Sequence, residues 1–156
     1  VKGGITRFHS VRNALDKVPD GAIVAVHDGV RPLVTPRLVR DMFEKAETVQ
    51  SLVPVIPCTD TLKVLQKEGE ELKTVEGAVA DRSMLYAAQT PQIFHSEMLK
   101  SAYSLAYDTM FTDDASVMQK YGKSLSYMIG ERLNIKITTQ EDLLLAEAVM
   151  SLRSKS

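Results

Sequence analysis

The chain has 156 residues, enough for one domain that buries roughly two-thirds of the surface its unfolded form exposes. Hydrophobic residues at 44% and charged residues at 25% are ordinary for a globular fold in water. A formal net charge of -1 supplies no basic field for nucleic acid or anionic lipid.

No apolar run approaches the ~18 residues of a membrane span. The single cysteine, Cys58, has no partner for an internal disulfide and suits a reducing, cytoplasmic setting. His9, His27 and His95 stand far apart without other ligand types at metal spacing, so zinc-type chemistry has no support.

The opening "VKGGITRFHS" lacks an initiator methionine or signal peptide and reads as the middle of a fold, with an earlier part expected. Gly3 and Gly4 permit close backbone approach to a ligand, but their spacing is not that of a P-loop. Ser10 is the expected cap of a short helix with Val11, Ala14, Leu15 and Val18 on one face, broken by Pro19-Asp20-Gly21. "AIVAV", Ala22 to Val26, has the pattern of a strand buried on both faces. Thr35 caps the next helix, with Pro36 in its first turn and Leu38, Val39, Met42, Phe43 and Ala46 facing inward. "SLVPVIP" is a second buried strand, and the alternation predicts an α/β fold with a mostly parallel sheet and helices on both faces.

"TLKVLQKEGEELKTVEG" breaks this rhythm. It holds two short extended segments around a charged turn, too poor in apolar side chains to stand alone. It reads as an arm, about residues 61–82, projecting from a single domain that spans 1–156 and held most economically by a second copy of the chain; a solvated surface hairpin is the alternative. A helix capped by Ser96, a short helix capped by Thr112 and stopped by Gly122, and the short strands "SLSYMI" and "NIKIT" follow. A last helix carries Glu141 and Asp142 in its first turn, where acids favour the helix dipole.

In an open α/β sheet, ligands bind beyond the carboxyl ends of the strands. "HDGVRP" follows "AIVAV" directly, so Asp28 and Arg31 are expected on that rim, the acid able to hold Mg²⁺ and the arginine to grip phosphate. Turn chemistry, with Asp28 capping and Arg31 pairing to it, explains the same residues equally well. Thr61, Asp81, Arg82, Thr90 and Thr112 are turn and cap residues by default, and each also falls where a ligand group could be met. Lys136, between Ile135 and Ile137, points opposite to them, to solvent or into the cleft. Taken together, Asp28, Arg31, Arg82 and Lys136 make a phosphate-friendly rim without naming a reaction.

In their order, "GGITRFHSV", "VHDGVRP", "VPVIPCTDTLK", "DRSMLYAAQTPQIF", "FTDDASVMQKYG" and "NIKITTQEDLLLAE" resemble the 2-C-methyl-D-erythritol 4-phosphate cytidylyltransferase family, over nearly all 156 residues. The resemblance implies a Rossmann-like three-layer nucleotidyltransferase domain that transfers CMP from CTP to methylerythritol phosphate and releases pyrophosphate, in non-mevalonate isoprenoid biosynthesis. It implies a divalent cation such as Mg²⁺ near Asp28, and a cytoplasmic homodimer whose arms embrace. By resemblance, Gly4, Ser10 and Gly29 serve nucleotide binding. Asp28 and Lys136 act on the reacting phosphates, with Arg31 beside Asp28. Thr61 and Arg82 bind substrate in trans, while Thr90 and Thr112 fix its position. The family's Gly-rich "AAGxGxRM…PKQ" loop is not in this sequence, so the chain alone is expected to be inactive. Two other readings are a ribitol-5-phosphate cytidylyltransferase, against which the Arg82 block leans, and a non-catalytic dimerisation or nucleotide-sensing module.

Overall fold

The computed structural model describes residues 1–154, so Lys155 and Ser156 of the expected domain lie outside the described residues. Strand β1 (Ile23–Val26) pairs antiparallel with β6 (Gln92–His95), which pairs antiparallel with the start of β2 (Ser51–Pro57). Strand β5 (Tyr86–Ala88) lies antiparallel against the end of β2, and β7 (Ser126–Ile129) runs parallel to β2. Strands β1, β2 and β7 therefore share one direction, the majority direction the sequence predicts. The reversed segment that carries β5 and β6 also pairs with β2, and β6 separates it from β1, so β2–β7 is the one parallel ladder among the described residues.

Helices cover both faces, because alternate strand residues point opposite ways. Val24, Val26 and Phe94 face α1 (Arg7–Leu15), α3 (Ser96–Ala102) and α4 (Asp114–Lys120), which meet them with Phe8, Leu15, Leu99 and Met118. Ile23, Leu52 and Ile93 face the opposite way, onto Leu38, Met42 and Ala46 of α2 (Pro36–Ala46). Helix α5 (Gln140–Arg153) adds Ala146 and Val149 against Leu33, Ile135 and Ile137. The arm is a hairpin of β3 (Leu65–Glu68) and β4 (Glu71–Thr74), every residue of which is exposed.

Several local expectations shift. Thr35 and Pro36 start α2 as predicted, but Thr6 caps α1 rather than Ser10. The Ser10 hydroxyl is already engaged, accepting from Gly4 N at 2.9 Å and donating to Thr6 O. Asp113, not Thr112, caps α4, because its carboxylate and Ser116 form a reciprocal capping box. Ser96 is the first residue of α3 rather than its cap, and its hydroxyl accepts from Ala22 N. Strand β1 is half-buried with Ala25 exposed, since it pairs on one edge only among the described residues. "NIKIT" joins no ladder; Ile137 N donates to Val30 O at 2.8 Å, and the other ties of the segment involve side chains or its own turn.

Candidate active site

The turn after β1 is fastened before it does any chemistry. Arg31 N donates to Asp28 O at 2.9 Å and closes the turn. Asp28 N donates to Thr90 Oγ1 at 2.9 Å, and the same hydroxyl lies 3.0 Å from His27 Nδ1. Because Thr90 sits between β5 and β6, this bond ties the turn to the segment that leads into the neighbouring strand, and the largely buried Asp28 carboxylate lines the cleft beside it.

Three cations from three distant stretches meet that carboxylate. Lys136 Nζ lies at 3.3 Å, Arg7 Nε at 3.4 Å and Arg31 Nε at 3.6 Å. Lys136 is aimed there because Ile135 and Ile137, on either side, are drawn into the core beside α5. Burial pushes the Asp28 carboxyl up, but the Lys136 ammonium, then Arg7 and Arg31, outweigh it and hold the group below its ordinary range.

Arg7 is shared with a second acid. Its Nη1 and Nη2 donate to Asp114 Oδ1 and Oδ2 at 3.0 and 2.6 Å, a bidentate pair. Asp114 also accepts from the Tyr103 hydroxyl, and Tyr103 stacks on Phe8 of the Arg7 helix with ring centroids 4.7 Å apart. Burial pulls the guanidinium towards neutrality and Asp114 more than offsets it, so Arg7 stays charged. Burial and then the Asp114 charge push the Tyr103 phenol up, so it remains a donor. With Arg7 so divided, Arg31 and Lys136 give the Asp28 end of the cleft a local excess of positive charge suited to an anion.

Five predicted residues line one cleft of about 250 Å³: Asp28, Arg31, Thr90, Thr112 and Lys136. Gly4 and Ser10 sit together at the start of α1, one turn from Arg7 but outside that lining. At Gly4 an added Cβ would stand 2.4 Å from His9 Cβ, whereas at Gly29 it would meet nothing within 4 Å. Thr61 and Arg82 lie at the foot of the arm, outside the lining, and Arg82 Nη1 donates to Thr59 O at 3.0 Å. Arg7 joins Arg31 and Lys136 beside Asp28, while Arg82 lies apart from the cleft of its own chain. Among the described residues no three His, Cys, Asp or Glu side chains gather as a metal-ligand set; Asp28 shares the cleft lining with one other carboxylate, Asp113, which caps α4.

This arrangement brings together five of the six sequence blocks, and residues 1–152 match the profile of the family described as 2-C-methyl-D-erythritol 4-phosphate cytidylyltransferase. The chain belongs to this cytidylyltransferase family.

Relatives bearing that name include one from Phocaeicola vulgatus, 42% identical over 95% of this chain, and one from Porphyromonas gingivalis, 43% identical over 97%. The matches span 64% and 65% of those two relatives' lengths. A crystal structure of the Thermus thermophilus cytidylyltransferase superposes with a TM-score of 0.81 at 35% identity, covering 97% of this chain and 72% of that one. The Francisella tularensis structure gives 0.80 at 29% identity, covering 94% and 69%.

The family motifs conceal supporting residues that the sequence reading did not single out. Asp114 follows Asp113 in "TDD", where one acid reads as a cap and the second as surplus; the fold buries the second. Gln89 and Asn134 are neutral amides with no charge or periodicity to mark them, yet both are buried in the site. The signal for Arg7 was its place beside two glycines, which suggested a ligand loop rather than a partner for Asp28.

Proposed function

We propose that the whole protein transfers CMP from CTP to 2-C-methyl-D-erythritol 4-phosphate. An oxygen of the substrate phosphate forms a bond to the α-phosphorus of CTP while the bond to the β-phosphate oxygen breaks, and pyrophosphate leaves. Such a displacement depends on positioning and on neutralising charge as it develops. The observation that carries this reading is the convergence on one cleft of Asp28 and Arg31, from one block, with Lys136, from another more than a hundred positions on.

In this reading Lys136 stabilises the crowded phosphorus and Arg31 grips phosphate oxygens. Gly4, Ser10 and Gly29 approach the nucleotide, while Thr90 and Thr112 orient the methylerythritol phosphate. A divalent cation such as Mg²⁺ is commonly held by one or two carboxylates together with phosphate oxygens. Asp28 is the one carboxylate proposed here, so the triphosphate would supply most of the remaining ligands.

The arm supports a homodimer in the same reading. Its residues are exposed, and at its foot Val79 and Met84 are 88% and 77% exposed. Beside it lies an apolar groove of about 710 Å³ with Val53, Val55 and Met128 among its lining residues, a seat for a second copy's arm. Thr61 and Arg82 would then reach the partner's substrate. The proposed setting is the cytoplasm; among the described residues no helix is long and apolar enough to cross a membrane.

The test is pyrophosphate release by the whole protein. It should require both CTP and methylerythritol phosphate and fall by about 10²–10³ in kcat for Lys136→Ala. Turnover faster with ribitol 5-phosphate, or release indifferent to the acceptor, would overturn the reading.

A further inference from the structure

Gln89 is 3% exposed and Asn134 fully buried, and neither carries a charge that would mark it as part of a site. Gln89 N donates to Pro54 O at 2.8 Å, and Gly130 N donates to Val55 O at 2.9 Å. Adjacent residues of β2 therefore pin both the amide's backbone and the start of the turn that follows β7. Gln89 reaches the 131–134 turn with its carboxamide. Oε1 accepts from Glu131 N at 3.2 Å, and Nε2 donates to Glu131 O at 2.8 Å and to Asn134 O at 3.3 Å. Asn134 answers in the other direction, its Nδ2 donating to Thr90 O at 2.8 Å.

The fit is close. A Cβ at Gly130 would lie 2.3 Å from Gln89 Oε1, so only glycine admits the carboxamide there without a shift. The turn held this way bears on two of the three cations that meet Asp28. Asn134 O accepts from Arg31 Nη1 at 2.7 Å, and Lys136, two residues on, has its Nζ 3.3 Å from Asp28.

We infer that Gln89 is a positioning residue whose carboxamide, admitted by Gly130, fixes the 131–134 turn and through it holds Lys136 and Arg31 against Asp28. The inference deepens the proposed function, on which its catalytic meaning rests, but its geometry stands without turnover.

The experiment uses Gln89→Ala, Gly130→Ala and the double variant in the whole protein. Asp28 is followed by carboxyl ¹³C titration, and kcat and KM by pyrophosphate release. Each single change should raise the Asp28 titration midpoint, as Lys136 withdraws, and lower kcat by about 10²-fold, since misplacement by about 1 Å can cost that much. In the double variant Gly130→Ala should add nothing, because the oxygen its Cβ displaced is gone. An unchanged Asp28 midpoint beside a lowered melting temperature would reduce Gln89 to a structural role and overturn the inference, as would additive effects.

Should both variants fail to fold, the unaltered protein still decides. The Gln89 side-chain NH₂ resonances should exchange slowly and move as Asp28 titrates; fast exchange or no response would overturn it. Coupled titration without turnover would count against the proposed function alone, and turnover without coupling against this inference alone.

Discussion

Asp114 holds Arg7 with both carboxylate oxygens, at 3.0 and 2.6 Å, from a position that is completely buried. The pair is asymmetric, since Arg7 keeps 35% of its side chain in solvent while Asp114 keeps none. Arg7 is therefore fixed from behind by an acid that, among the described residues, has no other charged partner at comparable distance. Its Nε is left to turn towards Asp28. Two acids thus share one guanidinium, the inner one setting its orientation and the outer one using it.

That asymmetry predicts unequal damage from the two ends of the pair. Arg7→Met strands a carboxylate with no solvent, whereas Asp114→Asn leaves a guanidinium that can reach water and Asp28. Leaving a buried charge without its partner costs ~3–5 kcal/mol. Arg7→Met should fall in that range, and Asp114→Asn nearer ~1–2 kcal/mol because solvent screens the exposed partner. Urea unfolding of the two variants measures both, and equal losses would contradict the asymmetry.

Acid sensitivity follows from Asp28. Burial raises its carboxyl, but Lys136, Arg7 and Arg31 together hold the folded value below the ordinary one. The stability these pairs contribute is therefore fully present above the unfolded value of ~3.9 and is lost as pH falls through the folded value. Lys136→Met removes the largest of the attractions. Its unfolding midpoint in urea should decline less steeply than that of the unaltered protein between about pH 5 and pH 2. Parallel declines would show that Lys136 does not set the Asp28 titration.

Much of this frame was legible from local chemistry. Pro36 after Thr35 marked the start of α2, and the flanking isoleucines set Lys136 on the side opposite to them, because both signals depend on residues next to one another; whether that side was solvent or cleft was not legible. The direction of β5 and β6 was not legible. Tyr86–Ala88 and Gln92–His95 carry no periodicity that distinguishes parallel from antiparallel pairing. The caps missed by one residue at Thr112 and by four at Ser10, since Asp113 and Thr6 won by partners that only the folded turn supplies. Arg7 and Asp114 are separated by 107 positions, and nothing local announces a pair across that distance. The distinction between Arg82 and Arg7 on the rim is of the same kind.

The arm makes a prediction about assembly. Arg82 lies outside the cleft of its own chain, so if it serves a partner's site, damage to it and damage to Lys136 fall in different active sites. Arg82→Ala and Lys136→Ala homodimers should each be nearly inactive. Mixed after subunit exchange, they should recover up to about one quarter of full activity, because random pairing makes half the dimers mixed and each mixed dimer has one site with both residues. Recovery absent from a sample shown to contain mixed dimers would place both residues in one site of one chain.

Gly4 and Gly29 separate the two reasons for a glycine at a nucleotide site. At Gly4 an added Cβ would stand 2.4 Å from His9 Cβ and 2.7 Å from the His9 carbonyl carbon, so the chain before α1 must move. Gly4→Ala should break the Gly4 N to Ser10 Oγ bond and raise the KM for CTP. It should cost no more than about 1 kcal/mol of stability, since the bond lies on an exposed segment. At Gly29 the backbone has no positive φ and a Cβ meets nothing, so alanine fits the folded chain and narrows the unfolded one. Gly29→Ala should therefore hold or raise stability by about 0.4–1 kcal/mol. If it also raises the KM for CTP, the space at Gly29 is kept for a ligand and not for the fold. If stability rises and KM is unchanged, Gly29 has no part in nucleotide binding, and the approach to the nucleotide falls to Gly4 and Ser10 alone.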